Sequence, residues 1–105
     1  MVTKLRNESA AVKVAYSTEV IMGTKNNPSE FDCYANAEPD EPMFILLARD
    51  KDAPEIVRDW AFSRKRRKQQ ELKVLFDEFP ADEKRQITEA EECANAMEEW
   101  RKANR

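Results

Sequence analysis

Five consecutive basic side chains form the densest group of chemically active residues in this sequence: Arg64, Lys65, Arg66, Arg67 and Lys68. Guanidinium and ammonium groups bind phosphates and carboxylates through charge-assisted hydrogen bonds, so this basic cluster is a candidate site for an anionic ligand or an acidic protein surface. In the alternative interpretation, a second helix neutralises the cluster as a solvated face of weak ion pairs. The acidic residues available for this are Glu89, Glu91 and Glu92.

The residue types that are missing exclude several kinds of catalytic site. The sequence has no histidine and a single glycine, Gly23. It therefore lacks the Ser-His and Cys-His nucleophile pairs and the glycine-rich loop that holds a pyrophosphate. Three proline-bracketed carboxylates could serve a hard metal ion or carboxylate catalysis, namely Glu38, Asp40 and Glu41. They lack the spacing of a calcium loop, so we expect exposed loop acids and predict no catalytic residue, metal site or cofactor.

Composition indicates a small, highly charged, helix-rich domain. The 105 residues fit one domain with a modest core, and 37% of them are charged. A net charge of −3 and a pI near 5.1 disfavour nucleic-acid binding, which depends on summed positive potential. The longest apolar run, Met43 to Ala48, is too short to cross a membrane. Cys33 and Cys93, without a secretory signal, are expected to be reduced and buried in a cytoplasmic protein.

The N-terminal half of the chain carries strand patterns. Residues 12–22 alternate apolar and polar side chains, which predicts a strand, although Ser9 could instead cap a short helix. We expect Phe31 to Ala35 to pair with it as a second short strand. Met43 to Ala48 predicts a buried strand, with one helical turn as the alternative. The predicted layout of the single domain is a flexible N-terminus (1–10), a strand and loop region (11–50), a long helix (52–79) and a second helix (82–103).

The C-terminal half predicts two helices. Asp52 is a predicted N-cap with Glu55 in capping-box spacing, Pro54 suits the first turn, and Pro80 should end the helix. The second helix could begin at Asp82, or at Thr88 with its own capping box. The fold class is therefore α+β and helix-dominated, with short N-terminal antiparallel strands packed on a C-terminal antiparallel helical hairpin.

The hairpin fixes a register between its helices. Folding back around Pro80 places Trp60 opposite Trp100, and Arg67 and Lys68 opposite Glu92 and Cys93. Each tryptophan lies on an apolar stripe, so it belongs either to the core or to a subunit interface. Two amphipathic helices with a short sheet leave apolar faces uncovered, which favours a homo-oligomer.

Four segments resemble a group of small proteins encoded by phages and prophages: residues 31–34 (FDCY), 38–50 (EPDEPMFILLARD), 53–61 (APEIVRDWA) and 89–100 (EAEECANAMEEW). The resemblance leaves the predicted N-terminal strand and the basic cluster outside it. It implies a non-structural phage-type protein in the host cell cytoplasm, where such proteins often bind a host factor. It implies no activity and no site residue.

Three functional hypotheses follow, in order of preference. The first is a non-catalytic accessory protein that binds a host protein or an anionic ligand through the basic cluster. The second is an oligomer that sequesters a nucleotide between basic and aromatic side chains of two chains. The third is a metal-dependent enzyme that uses Glu38, Asp40 and Glu41.

Overall fold

A computed structural model of the chain describes residues 23–104, and helices form the regular structure of this part. The elements in chain order are α1 (Cys33–Asn36), α2 (Ala53–Leu72), a 3-10 turn (Phe76–Glu78) and α3 (Ala81–Ala103). Between residues 23 and 104 there is no β-strand, so the predicted α+β class is wrong for this part of the chain. The strand predicted for residues 12–22 lies outside the described residues.

The segment predicted as a second strand, Phe31 to Ala35, contains the short helix α1 instead. Asp32 begins it as an N-cap, because its carboxylate accepts a hydrogen bond from the Ala35 amide at 3.2 Å. The side chain of Asn36 donates to the carbonyl of Asp32 at 2.9 Å and closes the turn. Asp and Asn side chains favour such local hydrogen bonds with the backbone over the pairing of a β-strand. This explains why the segment forms a short helix and not the predicted strand.

Met43 to Ala48 is neither a buried strand nor a helical turn. The segment follows a turn in which the Glu41 amide donates to the Glu38 carbonyl at 3.1 Å, and Phe44 is 85% exposed. A buried strand needs at least one neighbouring strand to pair its backbone amides and carbonyls, and residues 23–104 supply none. The apolar run therefore lies on the surface.

Helix α2 begins where it was predicted to begin, but the predicted cap at Asp52 is not formed. Pro54 stands in its first turn, whereas Asp52 has helical backbone angles and makes no side-chain cap hydrogen bond. Asp50 supplies the side-chain contact instead, accepting from the Asp52 amide at 2.9 Å. An N-cap residue needs a non-helical backbone for its side chain to reach the first free amides of the helix. Asp52 therefore does not cap α2 through its side chain, and Asp50 provides the nearest side-chain hydrogen bond.

Helix α2 ends at Leu72 and does not continue to residue 79. Lys73 adopts a left-handed conformation with φ of 59°, and its amide donates to the Gln69 carbonyl at 2.9 Å. The 20 residues of α2 extend about 30 Å at 1.5 Å per residue. After the turn, the rings of Phe76 and Phe79 pack edge-to-face with 5.3 Å between centroids. The break at Lys73 thus directs these aromatic rings back toward the helices.

The core lies where the chain returns from α2 into α3. Ala61, Phe79 and Ile87 are buried against one another, and half-buried apolar side chains surround them. Ile87 is the largest fully buried side chain of the described residues. Helix α3 starts at Ala81, so Thr88 lies inside it and the earlier of the two predicted starts fits the structure. Because so few apolar side chains are buried, polar side chains form much of the contact between α2 and α3.

Ion pairs show that α2 and α3 run antiparallel. Arg58, early in α2, contacts Glu98 near the end of α3, whereas Lys65 contacts Glu91 nearer its middle. The predicted register would have placed Lys65 opposite Asn95, one helical turn away. The predicted hairpin is therefore present, but the observed partners lie earlier in α3 than predicted, by four positions for Arg58 and Lys65 and by 13 positions for Arg64, which pairs with Glu83.

Candidate functional site

The basic cluster occupies the second half of α2, where consecutive residues point in directions 100° apart. Its five side chains therefore cannot share one surface, and each has its own surroundings. Arg64, Lys65 and Lys68 are partly buried against the hairpin, and Arg66 and Arg67 are exposed. The structure divides the cluster into an inward and an outward group.

Arg64 is bound within the hairpin. Its Nε and Nη2 donate to the two carboxylate oxygens of Glu83 on α3, at 2.7 and 3.1 Å. The side chain of Glu83 is only 14% exposed, and the Arg64 guanidinium also lies 5.5 Å from the ring centroid of Trp60. This two-point contact fixes the guanidinium plane and leaves it unsuited to an external ligand.

Lys65 is likewise bound within the hairpin. Its Nζ lies 3.2 Å from a carboxylate oxygen of Glu91 and 4.5 Å from the ring centroid of Phe76. The two contacts hold the ammonium group over the turn that joins α2 to α3. Lys65 thus connects the hairpin internally.

Arg67 and Lys68 share one acidic residue of their own helix. Glu71 lies 3.8 Å from Arg67 Nε and 3.4 Å from Lys68 Nζ. The side chains of Arg67 and Glu71 are both more than half exposed, and such pairs contribute under about 1 kcal/mol. An incoming carboxylate can therefore replace Glu71 at Arg67 at low cost.

Arg66 has no carboxylate partner among residues 23–104. Its guanidinium lies 5.9 Å from the ring centroid of Phe62, one turn earlier on the exposed side of α2, and Phe62 is 64% exposed. Arg66 and Arg67 with Phe62 form a surface, here termed the outer face, that combines two cations with an apolar ring. This is the part of the basic cluster that can receive a ligand.

Of the three acids predicted to neutralise the cluster, the structure uses Glu91. Glu89 instead accepts a hydrogen bond from the Ser29 hydroxyl, and Glu92 is exposed. Sequence reasoning missed Glu83 and Glu71 as partners, and missed Phe62. The i,i+4 spacing of Phe62 to Arg66 and of Arg67 to Glu71 was a signal for two of these contacts.

The two tryptophans lie at the surface without contacting each other's rings. Trp60 is 41% exposed and Trp100 is 39% exposed, and the ring pair of the described residues is Phe76 with Phe79. Neither tryptophan belongs to the buried core. Their role as interface residues stays a prediction.

The remaining candidate groups do not assemble into a reactive centre. Glu38, Asp40 and Glu41 are exposed, and the carboxylate of Glu41 accepts from the Glu38 amide at 3.0 Å. Residues 23–104 contain no group of three or more His, Cys, Asp or Glu placed to hold a metal ion. The two cysteines differ in exposure. Cys33 is exposed, contrary to expectation, and Cys93 is half-buried. Burial, and to a smaller extent the negative charge of Glu89, raise the pKa of the Cys93 thiol.

A separate ion pair joins the open end of the hairpin. Arg58 donates from Nη1 and Nη2 to the Glu98 carboxylate at 2.8 and 2.9 Å, and from Nη2 to Asn95 at 2.7 Å. The hydrogen bond from Arg58 lowers the pKa of Glu98 below its ordinary value. Beyond this pair lies an open hollow lined by Arg49, Glu98, Trp100, Arg101, Lys102 and Asn104.

Comparison of the chain with protein-family models, curated proteins and solved structures finds no match. Among residues 23–104, no helix combines the length and the apolar character needed to cross a membrane.

Proposed function

We propose that this chain is a non-catalytic binding protein whose outer face docks on an acidic surface of another protein. The resemblance of four segments to phage-encoded proteins supports a host cell cytoplasm as the setting and a host protein as the partner. The observation that carries the proposal is Arg66, an exposed guanidinium without a carboxylate partner in the described part of the chain.

The neighbours of Arg66 support a protein partner over a simple anion. Phe62 offers an exposed ring beside it, and Arg67 adds a second cation held only by a loose local pair. Aromatic and arginine side chains are enriched in protein interfaces, where an apolar contact and a charge pair act together. An acidic surface with an apolar depression fits this combination.

The rest of the chain argues against a nucleic-acid partner. The whole chain carries a net charge of −3, and α3 presents several exposed acids on the other arm of the hairpin. A polyanion would meet repulsion outside the outer face, whereas a compact acidic patch would not. The proposed partner therefore carries a local concentration of Asp and Glu.

The test is a charge reversal confined to the outer face. The Arg66→Glu, Arg67→Glu double variant should fold like the wild type and lose its partner. The measurement is native mass spectrometry of tagged protein purified from its host cytoplasm. Recovery of the partner should also fall as salt is raised, because the contact is electrostatic.

The matched control is the Lys25→Glu, Lys51→Glu double variant, which changes net charge equally at two exposed positions outside the outer face. It should retain the partner. A wild-type protein that retains no partner contradicts the proposal, as does an Arg66→Glu, Arg67→Glu variant that retains the partner undiminished.

The nucleotide-sequestering alternative has one observation in its favour. The exposed ring of Phe62 lies beside Arg66, and a nucleotide needs a stacking surface with a cation nearby. A nucleotide mass retained in the same native spectra, with no protein partner, would favour this alternative.

A further inference from the structure

The hollow at the open end of the hairpin is large enough to receive a small molecule. Its volume is about 560 Å³, inside the range of roughly 300–1,000 Å³ that is typical of ligand pockets. Arg49 comes from the turn before α2, and the other five lining residues come from the end of α3. Folding of the chain therefore brings together side chains that are far apart in the sequence.

Two of the three cations that line the hollow have no acidic partner. Neither Arg49 nor Arg101 forms an ion pair or a side-chain hydrogen bond among residues 23–104. Lys102 lies 3.3 Å from Glu99, but both side chains are more than 60% exposed, and such a pair contributes under about 1 kcal/mol. The hollow therefore has an excess of positive charge.

The carboxylate that lines the hollow is already neutralised. Glu98 accepts hydrogen bonds from both Nη atoms of Arg58, at 2.8 and 2.9 Å. An anion that enters the hollow therefore meets little repulsion from Glu98. Arg49 and Arg101 each gain a partner from such an anion, because a guanidinium group forms charge-assisted hydrogen bonds with carboxylate and phosphate oxygens.

The end of α3 opposes an anion only weakly. A helix C-terminus carries about half a negative charge, whereas Arg49 and Arg101 carry two full positive charges. Asn104 also satisfies part of the helix end. Its backbone amide donates to the carbonyls of Trp100 and Arg101 at 3.0 and 3.3 Å, and its side-chain amide donates to the Trp100 carbonyl at 2.8 Å. The balance of charge in the hollow is therefore positive.

Trp100 gives the hollow an aromatic wall. Its side chain is 39% exposed, and its indole ring offers a flat surface on which a planar group can stack. A flat ring beside two unpaired guanidinium groups suits a ligand that is planar in one part and anionic in another.

We propose that this hollow binds a small molecule in which a planar ring carries an oxyanion, either a carboxylate or a phosphate. The ring stacks on Trp100, and Arg49 and Arg101 bind the oxyanion. None of the residues of the outer face lines the hollow, so the two proposals stand or fall separately.

The experiment uses the fluorescence of Trp100. In a Trp60→Phe background, Trp100 is the remaining tryptophan of the chain. The probes are phenyl phosphate and benzoate, which join a ring to each kind of oxyanion, and the controls are inorganic phosphate and benzyl alcohol, which supply one part each. At least one probe should change the fluorescence saturably and bind about tenfold tighter than either control, and the tighter probe identifies the preferred oxyanion.

Removing either guanidinium group should weaken binding. Arg49→Gln and Arg101→Gln should each raise the dissociation constant of the tighter probe about tenfold, because each deletes hydrogen bonds to a charged group. Lys25→Gln removes the same charge at an exposed position outside the hollow and should bind like the background chain. Circular dichroism checks that all three variants fold.

Three results would overturn the proposal. The first is the absence of a saturable change with both probes, and the second is binding of the probes no tighter than of their separate parts. The third is an equal loss of binding in Lys25→Gln and the two arginine variants. The location is tested in a Trp100→Phe chain that keeps Trp60, whose fluorescence should not change, since Trp60 does not line the hollow. A saturable response of Trp60 would place the probe elsewhere and contradict the proposed site.

Discussion

Arg64 and Arg66 are two residues apart in the sequence and have different physical surroundings. Arg64 forms a two-point contact with the nearly buried Glu83, whereas Arg66 is exposed and contacts only the Phe62 ring among the described residues. Removing one partner of a poorly solvated charge pair leaves the other without compensation, while an exposed charge returns to water. Neighbouring cations therefore divide into one that is held within the hairpin and one that is exposed and free for the proposed contact.

Replacing each arginine by methionine tests this division with one side-chain change at two sites. Arg64→Met should lower the free energy of unfolding by about 1–3 kcal/mol, because Glu83 loses its charge partner. Arg66→Met should change it by less than about 0.5 kcal/mol. Urea denaturation followed by tryptophan fluorescence gives both values. Equal losses in the two variants would mean that the Glu83 contact does not distinguish Arg64.

The sequence predicted the basic cluster but not its division. Five consecutive cations on a helix are evident from residue types, and so is the excess of charge over local partners. The partner of Arg64 lies 19 positions away in α3, and only the register of the hairpin brings it near. The predicted register placed Arg64 opposite Ala96 and not Glu83, so the inward residues could not be named in advance.

At the scale of elements, the end of α2 is the feature that organises the chain. Lys73 holds φ of 59°, a region that costs a residue with a Cβ atom about 1–2 kcal/mol. The turn nevertheless lets Phe79 reach the core beside Ala61 and Ile87. Burial of that ring offsets the strain at Lys73.

Lys73→Gly should raise the free energy of unfolding by about 0.5–1 kcal/mol, because glycine adopts the left-handed conformation without a Cβ clash. Lys73→Ala is the matched control, since it removes the same long side chain and keeps the Cβ atom. Thermal and urea denaturation of both variants should show a gain only for glycine. An equal gain for alanine would assign the effect to the lysine side chain and not to the backbone.

Helix positions were predicted better than helix ends or strands. Pro54 in the first turn of α2 and Pro80 directly before α3 mark the starts of the helices by a local signal, although Pro80 was predicted to end α2, which stops at Leu72. The break at Lys73 has no glycine or proline to announce it, and the apolar spacing continues across it in phase. The run from Met43 to Ala48 has the composition of a buried strand. Burial, however, depends on which other elements pack against the run, and composition does not specify them.

At the scale of the whole molecule, the hairpin combines a small apolar core with ion pairs along its length. Ala61 and Ala94 are the buried side chains of the helices' middle sections, and each removes little apolar surface from water. Contacts such as Arg58 with Glu98 therefore take part in holding α2 against α3. Stability should accordingly respond to the protonation of their carboxylates.

Acid should weaken the contact between the helices at Glu98. The hydrogen bond from Arg58 lowers the pKa of Glu98 in the folded chain, so the folded state binds this proton less readily than the unfolded state. The stabilisation is present above the ordinary glutamate pKa of about 4.5 and is lost as pH falls through the lower folded-state value. In the Glu98→Gln variant this contribution is absent at every pH. The deficit of Glu98→Gln relative to wild type should therefore be largest near neutrality and shrink toward pH 3, measured by urea denaturation at successive pH values. Glu92→Gln, at an exposed site without an ion-pair partner among residues 23–104, controls for the loss of one negative charge. A deficit of Glu98→Gln that stays constant with pH would show that the ionised carboxylate does not hold the two helices together.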